Sequence, residues 1–322
     1  MNPDGFLEDV LGEPEMLARL LDLYAGTASP LTALPEDAFA GSRVVLIGMG
    51  SSRFAALTAA SQLRGRGIAA VAEYASTAAP TPPGADVLAI GISASGSTPE
   101  TVEALARHRG TSRIVAITNV PDGPLGDVAD VVLPLLAGEE EGGVACRTFQ
   151  ATLAVLQLLG GAGARRLTRA VAAQEELLAR SGTWAPELLD TLEGAHTVYA
   201  IAPAERLSSA LQSALMLREG PRIPADATET GDWLHVDVYL TKRPGYRALL
   251  FPGSRFDAEV LRWAAARAST IVAVGRPVAG AAGCVPFDGA DDPLVASLVE
   301  VSVAEVVAAL WWQRRVAAGT MP

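Results

Sequence analysis

The sequence is poor in the residues that staple small proteins together. Its two cysteines, Cys146 and Cys284, cannot build a disulfide framework, and its three histidines form no close Cys/His cluster with the spacing of a structural zinc site. A reducing cytoplasm is the expected setting, with no metal or other cofactor. Basic charge is also short, since 25 Lys+Arg against 36 Asp+Glu leave a net charge of −11. A field of that sign repels nucleic acid and anionic lipid, so neither is an expected partner. Lysine is almost missing, Lys242 being the only one. The chain opens on acidic rather than basic residues, and no apolar run is read as approaching the about 18 residues of a membrane span. Neither export nor insertion is expected.

Core-forming material is plentiful. The chain has 322 residues, half of them hydrophobic, with 31 glycines and 21 prolines. At about 150 residues per domain this predicts two globular domains. After an amphipathic arm (residues 15–24), the apolar run Val44 to Ile47 reads as a buried parallel strand, followed by a glycine turn and a helix. Further strands are predicted at Val87 to Ile92, Arg113 to Asn119 and Val131 to Leu136, alternating with helices. HTVYAIAPAERLSSALQSALMLREG then repeats the order of RVVLIGMGSSRFAALTAASQLRGRG: apolar run, turn, Ala/Leu helix and closing glycine. The sequence thus predicts an α/β chain with two similar doubly wound parallel sheets, placed at residues 1–160 and 161–322. Val299 to Trp312 reads as an apolar packing element, and His108 and His196 as surface residues.

The strongest chemical signal is Ser93-Ala94-Ser95-Gly96-Ser97-Thr98, placed where an apolar strand gives way to a helix. Unsatisfied amides at a helix N-terminus attract an anion, hydroxyls add donors without charge, and Gly96 lets the backbone come close. One such hydroxyl would be read as a helix cap. Four within six positions point to a phosphate cradle. Gly50, Ser51 and Ser52 repeat the pattern at the first strand–helix turn, where a cap and a ligand contact are equally good readings. Arg53 breaks the GxGxxG fingerprint, so no nicotinamide cofactor is expected.

With these residues in place the sequence resembles the sugar isomerase (SIS) domain proteins, in particular the double-domain isomerase half of glucosamine-6-phosphate synthase and its stand-alone deaminase and deglycase relatives. The resemblance covers about residues 15–310, with the second half in flavodoxin-like tandem with the first. It implies that Ser52, Ser93, Ser95 and Thr98 hold a sugar phosphate, and the cradle reading adds Gly96 and Ser97 to them. Gly143-Val144-Ala145 resembles the family's Gly-Val-Ala-Ser segment near the sugar, with Cys146 replacing the serine. Leu217-Arg218-Glu219, with Gly231 twelve positions on and His235 four beyond, resembles Leu-Lys-Glu and Gly-Glu-Leu-Lys-His. In the family that glutamate moves a proton between neighbouring sugar carbons. The histidine helps open the ring, and in the synthase it enters from a neighbouring chain, which implies a homodimer with active sites at its interface.

Departures from the family pattern shape the expected reaction. The synthase's substrate-contacting lysine lies in a C-terminal tail, and the tail here has none, so imine chemistry is not expected. No glutamine-hydrolysing segment is seen, so ammonia from glutamine is not expected either. Ala202-Pro203-Ala204 lacks the glycines of the family's Gly-Arg-Gly turn, which predicts no second phosphate site. One base, one histidine and one cradle suffice to take the carbon-2 proton of an open-chain hexosamine 6-phosphate. The sequence leans to dehydration of an N-acetylated substrate, with isomerisation and ammonia loss as the alternative. A phosphosugar sensor without turnover is a third reading.

Overall fold

The structure, a computed structural model, describes residues 1–35 and 38–321. Among the described residues ten strands are formed: β1 (Arg43–Gly48), β2 (Ala69–Tyr74), β3 (Val87–Ile92), β4 (Arg113–Thr118), β5 (Val131–Pro134), β6 (Val198–Ala202), β7 (Ala225–Glu229), β8 (Arg247–Leu250), β9 (Thr270–Gly275) and β10 (Gly283–Pro286). They build two five-stranded parallel sheets, in the orders β2-β1-β3-β4-β5 and β10-β9-β8-β6-β7. Taken from its other edge, the second sheet has the 2-1-3-4-5 order of the first. The duplication seen in sequence is therefore a duplication of topology, and each half is a flavodoxin-like doubly wound sheet.

Central strands need apolar residues on both faces because helices cover both. β3 is buried along its whole length, and β1 and β4 are buried beyond their first residue. Val45, Ile47, Val87, Ala89, Leu105, Ile114 and Leu125 form the core around the first sheet. Around the second, Ile201, Ala248, Leu250, Val260 and Ile271 pack with Trp233 and Tyr246, whose polar ends meet in a 2.7 Å hydrogen bond from Trp233 Nε1 to the Tyr246 hydroxyl.

Two compact units hold these sheets, and they interleave along the chain. One comprises Glu15–Glu139 and Arg147–Thr168; the other comprises Met1–Pro14, Glu140–Cys146 and Arg169–Pro322. The sequence division at residue 160 is consecutive, whereas the first helix (Pro3–Leu11) and the Glu140–Cys146 segment group with the second sheet. Hydrogen bonds tie the two segments to each other, Gly142 N donating to Asp9 Oδ2 at 2.8 Å and Asn2 N to the Gly142 carbonyl at 3.2 Å, and Gln212 Nε2 ties them to the second unit by donating to the Ala145 carbonyl at 2.7 Å.

Two expectations need correction. Pro293–Ala317 is long and apolar enough to cross a membrane by length and composition, an 18-residue stretch of it having mean hydropathy 1.9, although 89% of that stretch is buried inside the fold. Its apolar run was masked in sequence by Glu300 and Glu305, both of which are buried. His108 is not a surface residue: it is buried, and its Nδ1 lies 3.0 Å from the Ser112 hydroxyl. His196 is exposed.

Candidate functional site

In a sheet of 2-1-3-4-5 order, successive crossovers leave on opposite faces between β1 and β3, opening a crevice at the carboxyl ends of those strands. Both hydroxyl-rich turns of the first unit lie there. Ser93 directly follows β3, its N–H donating to the Ile117 carbonyl at 3.1 Å, so the chain is still tied to the sheet as it enters the loop. Gly96 then turns the backbone with φ of 64°. Asn119 N holds the Ala94 carbonyl at 3.1 Å and Leu125 N holds the Gly96 carbonyl at 2.8 Å, which fixes the loop from the β4 side.

Thr98 occupies the N-cap of the helix Pro99–Ala106, yet its side chain makes no capping bond. Its hydroxyl lies 2.9 Å from Ser93 Oγ instead. Ser93 Oγ is also 3.5 Å from Ser95 Oγ, and Ser97 Oγ donates to Ser95 Oγ at 3.2 Å. The four hydroxyls thus face one another across the loop, with Ser95 and Ser97 exposed and Ser93 buried. Such a cluster can reorient its O–H groups to donate to an incoming anion. Nothing charged is needed to form it.

Gly96 has no room for a side chain. A Cβ there would come within 2.9 Å of Thr118 Oγ1 and 3.0 Å of the Val120 carbonyl. Gly96→Ala is therefore expected to cost about 1–3 kcal/mol from left-handed backbone strain and crowding. Loop displacement should accompany the loss, weakening phosphate binding at least about tenfold, or about 1.4 kcal/mol. Thermal unfolding and phosphate calorimetry on the same preparation would check both; unchanged phosphate affinity would show that the loop's shape does not matter to the anion.

The turn after β1 supplies Gly50, Ser51 and Ser52 to the start of the helix Gly50–Gly65. Met49 is the N-cap and gives no side-chain capping bond, and Gly50 has φ of 51°. Ser51 and Ser52 are half-buried. A Cβ on Gly48 would meet Ser52 Cβ at 3.1 Å and the Ile92 carbonyl at 3.3 Å, so glycine is what lets this turn pass close to the end of β3. Arg53, next in the helix, stacks on the Tyr74 ring at 3.6 Å from its centroid.

The remaining candidate residues belong to the second unit. Val144 and Cys146 are buried and Ala145 is half-buried in the Glu140–Cys146 segment, which Gly143 bends with φ of 68°. Cys146 N donates to Glu140 Oε1 at 2.7 Å. The thiol itself is wholly buried, and that burial, reinforced by the charge of Glu13, pushes its pKa far up, so it is an inert thiol rather than a nucleophile.

Glu219 is the last residue of the helix Leu207–Glu219, which stops because Gly220 and Pro221 follow. Its side chain is exposed, yet its pKa is raised. Partial desolvation is the main cause, opposed by the neighbouring Arg218 charge and reinforced by Glu140. His235 is exposed beyond the short helix Thr230–Trp233, with its N–H on the Asp232 carbonyl at 2.9 Å. Val236 and Tyr239 beside it are 56% and 62% exposed.

At the β6 and β8 ends of the second sheet the arrangement differs. Arg206 is buried there, paired with Glu300 and donating to the Pro252 carbonyl at 2.5 Å. A Cβ on Gly253 would lie 2.7 Å from its guanidinium, so an internal ion pair fills this turn. Sequence reasoning missed Asp9, Glu140 and Gln212, whose side chains hold the Gly142–Cys146 backbone. Only Gln212 carried a signal: a buried-face amide in an otherwise Ala/Leu-rich helix. Among the described residues no group of three or more His, Cys, Asp or Glu side chains is placed to hold a metal ion.

Comparison with known proteins gives this geometry its relatives. Residues 40–161 match the SIS domain family. The chain is 32% identical over 265 residues to the isomerizing glutamine–fructose-6-phosphate aminotransferase of Aeropyrum pernix, covering 76% of this chain but only 42% of that protein. Its fold is similar to that of the tagatose-6-phosphate ketose/aldose isomerase of Escherichia coli, with a TM-score of 0.81 at 16% identity over 95% of this chain and 92% of the other. The glucosamine-6-phosphate deaminase of Thermotoga maritima follows with 0.72 at 18% identity over 97% and 95%. The chain therefore carries a SIS domain at residues 40–161 and is built as a tandem of two such folds, the second sheet repeating the strand order of the first.

Proposed function

We propose that this protein is an enzyme of hexosamine 6-phosphates, which anchors the phosphate at residues 93–98 with Ser51 and Ser52 and removes the carbon-2 proton of the open-chain aldose with Glu219. The observation that carries the reading is the Ser93–Thr98 loop. Its hydroxyls face each other at the mouth of the β1–β3 crevice instead of capping the helix behind them. A carboxylate whose pKa is raised by desolvation is a stronger base than an ordinary one, which suits Glu219 to proton abstraction. His235, exposed beside Val236 and Tyr239, is available to a second copy of the chain. In a homodimer it would assist ring opening there. Val144 and Ala145 would line the sugar.

Once the carbon-2 proton is on Glu219, the electron pair forms a carbon 1–carbon 2 double bond and the aldehyde oxygen becomes an enolate oxygen. Collapse of that enolate can expel the carbon-3 hydroxyl, which takes up a proton and leaves as water. A 2,3-unsaturated aldehyde 6-phosphate results. An acylated nitrogen at carbon 2 favours this fate, because it does not lose the amine through an imine. The one lysine of the sequence, Lys242, is exposed and lies 5.2 Å from the Tyr239 ring centroid, which also speaks against imine chemistry.

The names of the related proteins favour a second reading in which the proton returns to carbon 1. With a free amine, protonation at carbon 1 leaves an imine at carbon 2, which water hydrolyses to the ketose and ammonia. Incubation with glucosamine 6-phosphate and with its N-acetyl form separates the two. The proposal expects an ultraviolet-absorbing unsaturated product from the acetylated substrate. Ketose and ammonia from the free amine, with no absorbing product, would establish the second reading; binding of both sugars without turnover would make the protein a sensor.

A further inference from the structure

Gln212 is fully buried in the helix that ends at Glu219. Its Nε2 donates to the Ala145 carbonyl at 2.7 Å and lies 3.6 Å from Met216 Sδ, while its Oε1 has no hydrogen-bond partner. Retaining a buried amide with one end unsatisfied is costly, so the contact at the other end is what the side chain is kept for. Residues 212 and 219 are seven apart, about two helical turns, and share a helix face. Side chains hold the segment Gly142–Cys146: Asp9 on Gly142 N, Glu140 on Cys146 N, and Gln212 on Ala145 O. Of these only Gln212 stands on the helix that carries Glu219.

We infer that Gln212 is a positioning residue, coupling the Val144–Ala145 backbone to the helix of the proton-abstracting carboxylate so that the sugar-lining segment and the base keep one spacing. The inference rests on the function proposed above for its catalytic consequence; the coupling itself does not. Cys146, directly after Ala145 and wholly buried, is a built-in reporter of that coupling.

The test uses the full chain with Cys284→Ser, so that Cys146 is the only thiol. Gln212→Met keeps the length and loses the donor. Cys146 should then label with an aromatic disulfide on the order of tenfold faster, because the segment opens locally. Turnover should fall about 10²-fold in kcat with KM little changed, as a small misplacement of reacting groups requires. Inorganic phosphate binding should be unaffected. Gln212→Glu adds a signature that general loosening lacks: ionised, it repels the Ala145 carbonyl, and protonated it donates to it, so its labelling rate relative to that of Gln212→Met at the same pH should fall as the pH is lowered, a ratio in which the loss of thiolate common to both cancels. Labelling unchanged in Gln212→Met overturns the inference whatever the turnover. Faster labelling with unchanged kcat in an active parent overturns the positioning role. Should the parent turn over no hexosamine phosphate while labelling accelerates, the coupling stands and the proposed function falls.

Discussion

Glu219→Gln is expected to lower kcat by about 10²–10⁴-fold, the usual contribution of a positioned general base, while the affinity for inorganic phosphate stays at the parental value. The amide matches the carboxylate in size and cannot accept the carbon-2 proton. Phosphate affinity should be spared because the hydroxyl loop and Glu219 belong to different compact units, each with its own sheet and core. The pH profile supplies an independent check. Desolvation and Glu140 raise the Glu219 pKa, so the basic form is lost on acidification at a higher pH than an ordinary carboxylate would show. The acid limb of kcat/KM in the parent should accordingly lie above the ordinary carboxylate value and vanish from whatever activity remains in the variant. Turnover within twofold of the parent, or an unaltered acid limb, would remove Glu219 from the mechanism.

The parts of this fold that are legible in the sequence are those whose physics is local. β1, β3, β4, β6, β8 and β9 are covered on both faces and appear as unbroken apolar runs. Of the edge strands, β5 shows as the apolar run Val131 to Leu136, and the other three are harder to find. Ala69–Tyr74 mixes exposed and buried positions, Ala225–Glu229 carries two acids, and Gly283–Pro286 is four residues long. Nothing in them signals a strand until a neighbouring strand offers its hydrogen bonds. The same division runs through the site. The 93–98 loop is visible because four hydroxyls and a glycine are crowded into six positions, and the structure turns them toward one another. By contrast, the grouping of Glu140–Cys146 with the second sheet depends on Asp9 and Gln212, which no sequence spacing links to it. His108 was misread for the complementary reason: a histidine among Arg107 and Arg109 looks solvated, but the turn directs its ring inward to Ser112.

Long-range assembly also brings two carboxyls together at Glu305. The carboxyl sits in the apolar helix Val301–Ala317 and is almost completely buried. Burial pushes its pKa well up, and the charge and hydrogen bond of Glu13 push it further, with Glu140 adding to both. Glu13 is itself held by Gln174 Nε2 at 2.5 Å and by the Ser302 hydroxyl at 3.0 Å. Two carboxyls in one dry pocket cannot both ionise, so Glu305 keeps its proton and donates to Glu13.

For an acid whose folded-state pKa is raised, the native chain keeps a proton that the unfolded chain releases at the ordinary carboxylate value. Its contribution is therefore fully present below that value and declines as pH rises toward the folded-state pKa. Glu305→Gln replaces the protonated acid with a neutral donor of the same shape. The variant should match the parent near pH 4 and exceed it by about 1–3 kcal/mol at pH 8. Glu305→Ala should instead lose about 2–4 kcal/mol at both, having forfeited the donor and left a cavity. Urea unfolding midpoints across that range would measure this, and the difference between the parent and Glu305→Gln cancels the titrating groups remote from the pocket, leaving the coupled Glu13–Glu305 pair. A difference that does not grow with pH would mean that Glu305 is already ionised in the fold, and that the charge repelling it from Glu13 is neutralised by some other group in the pocket.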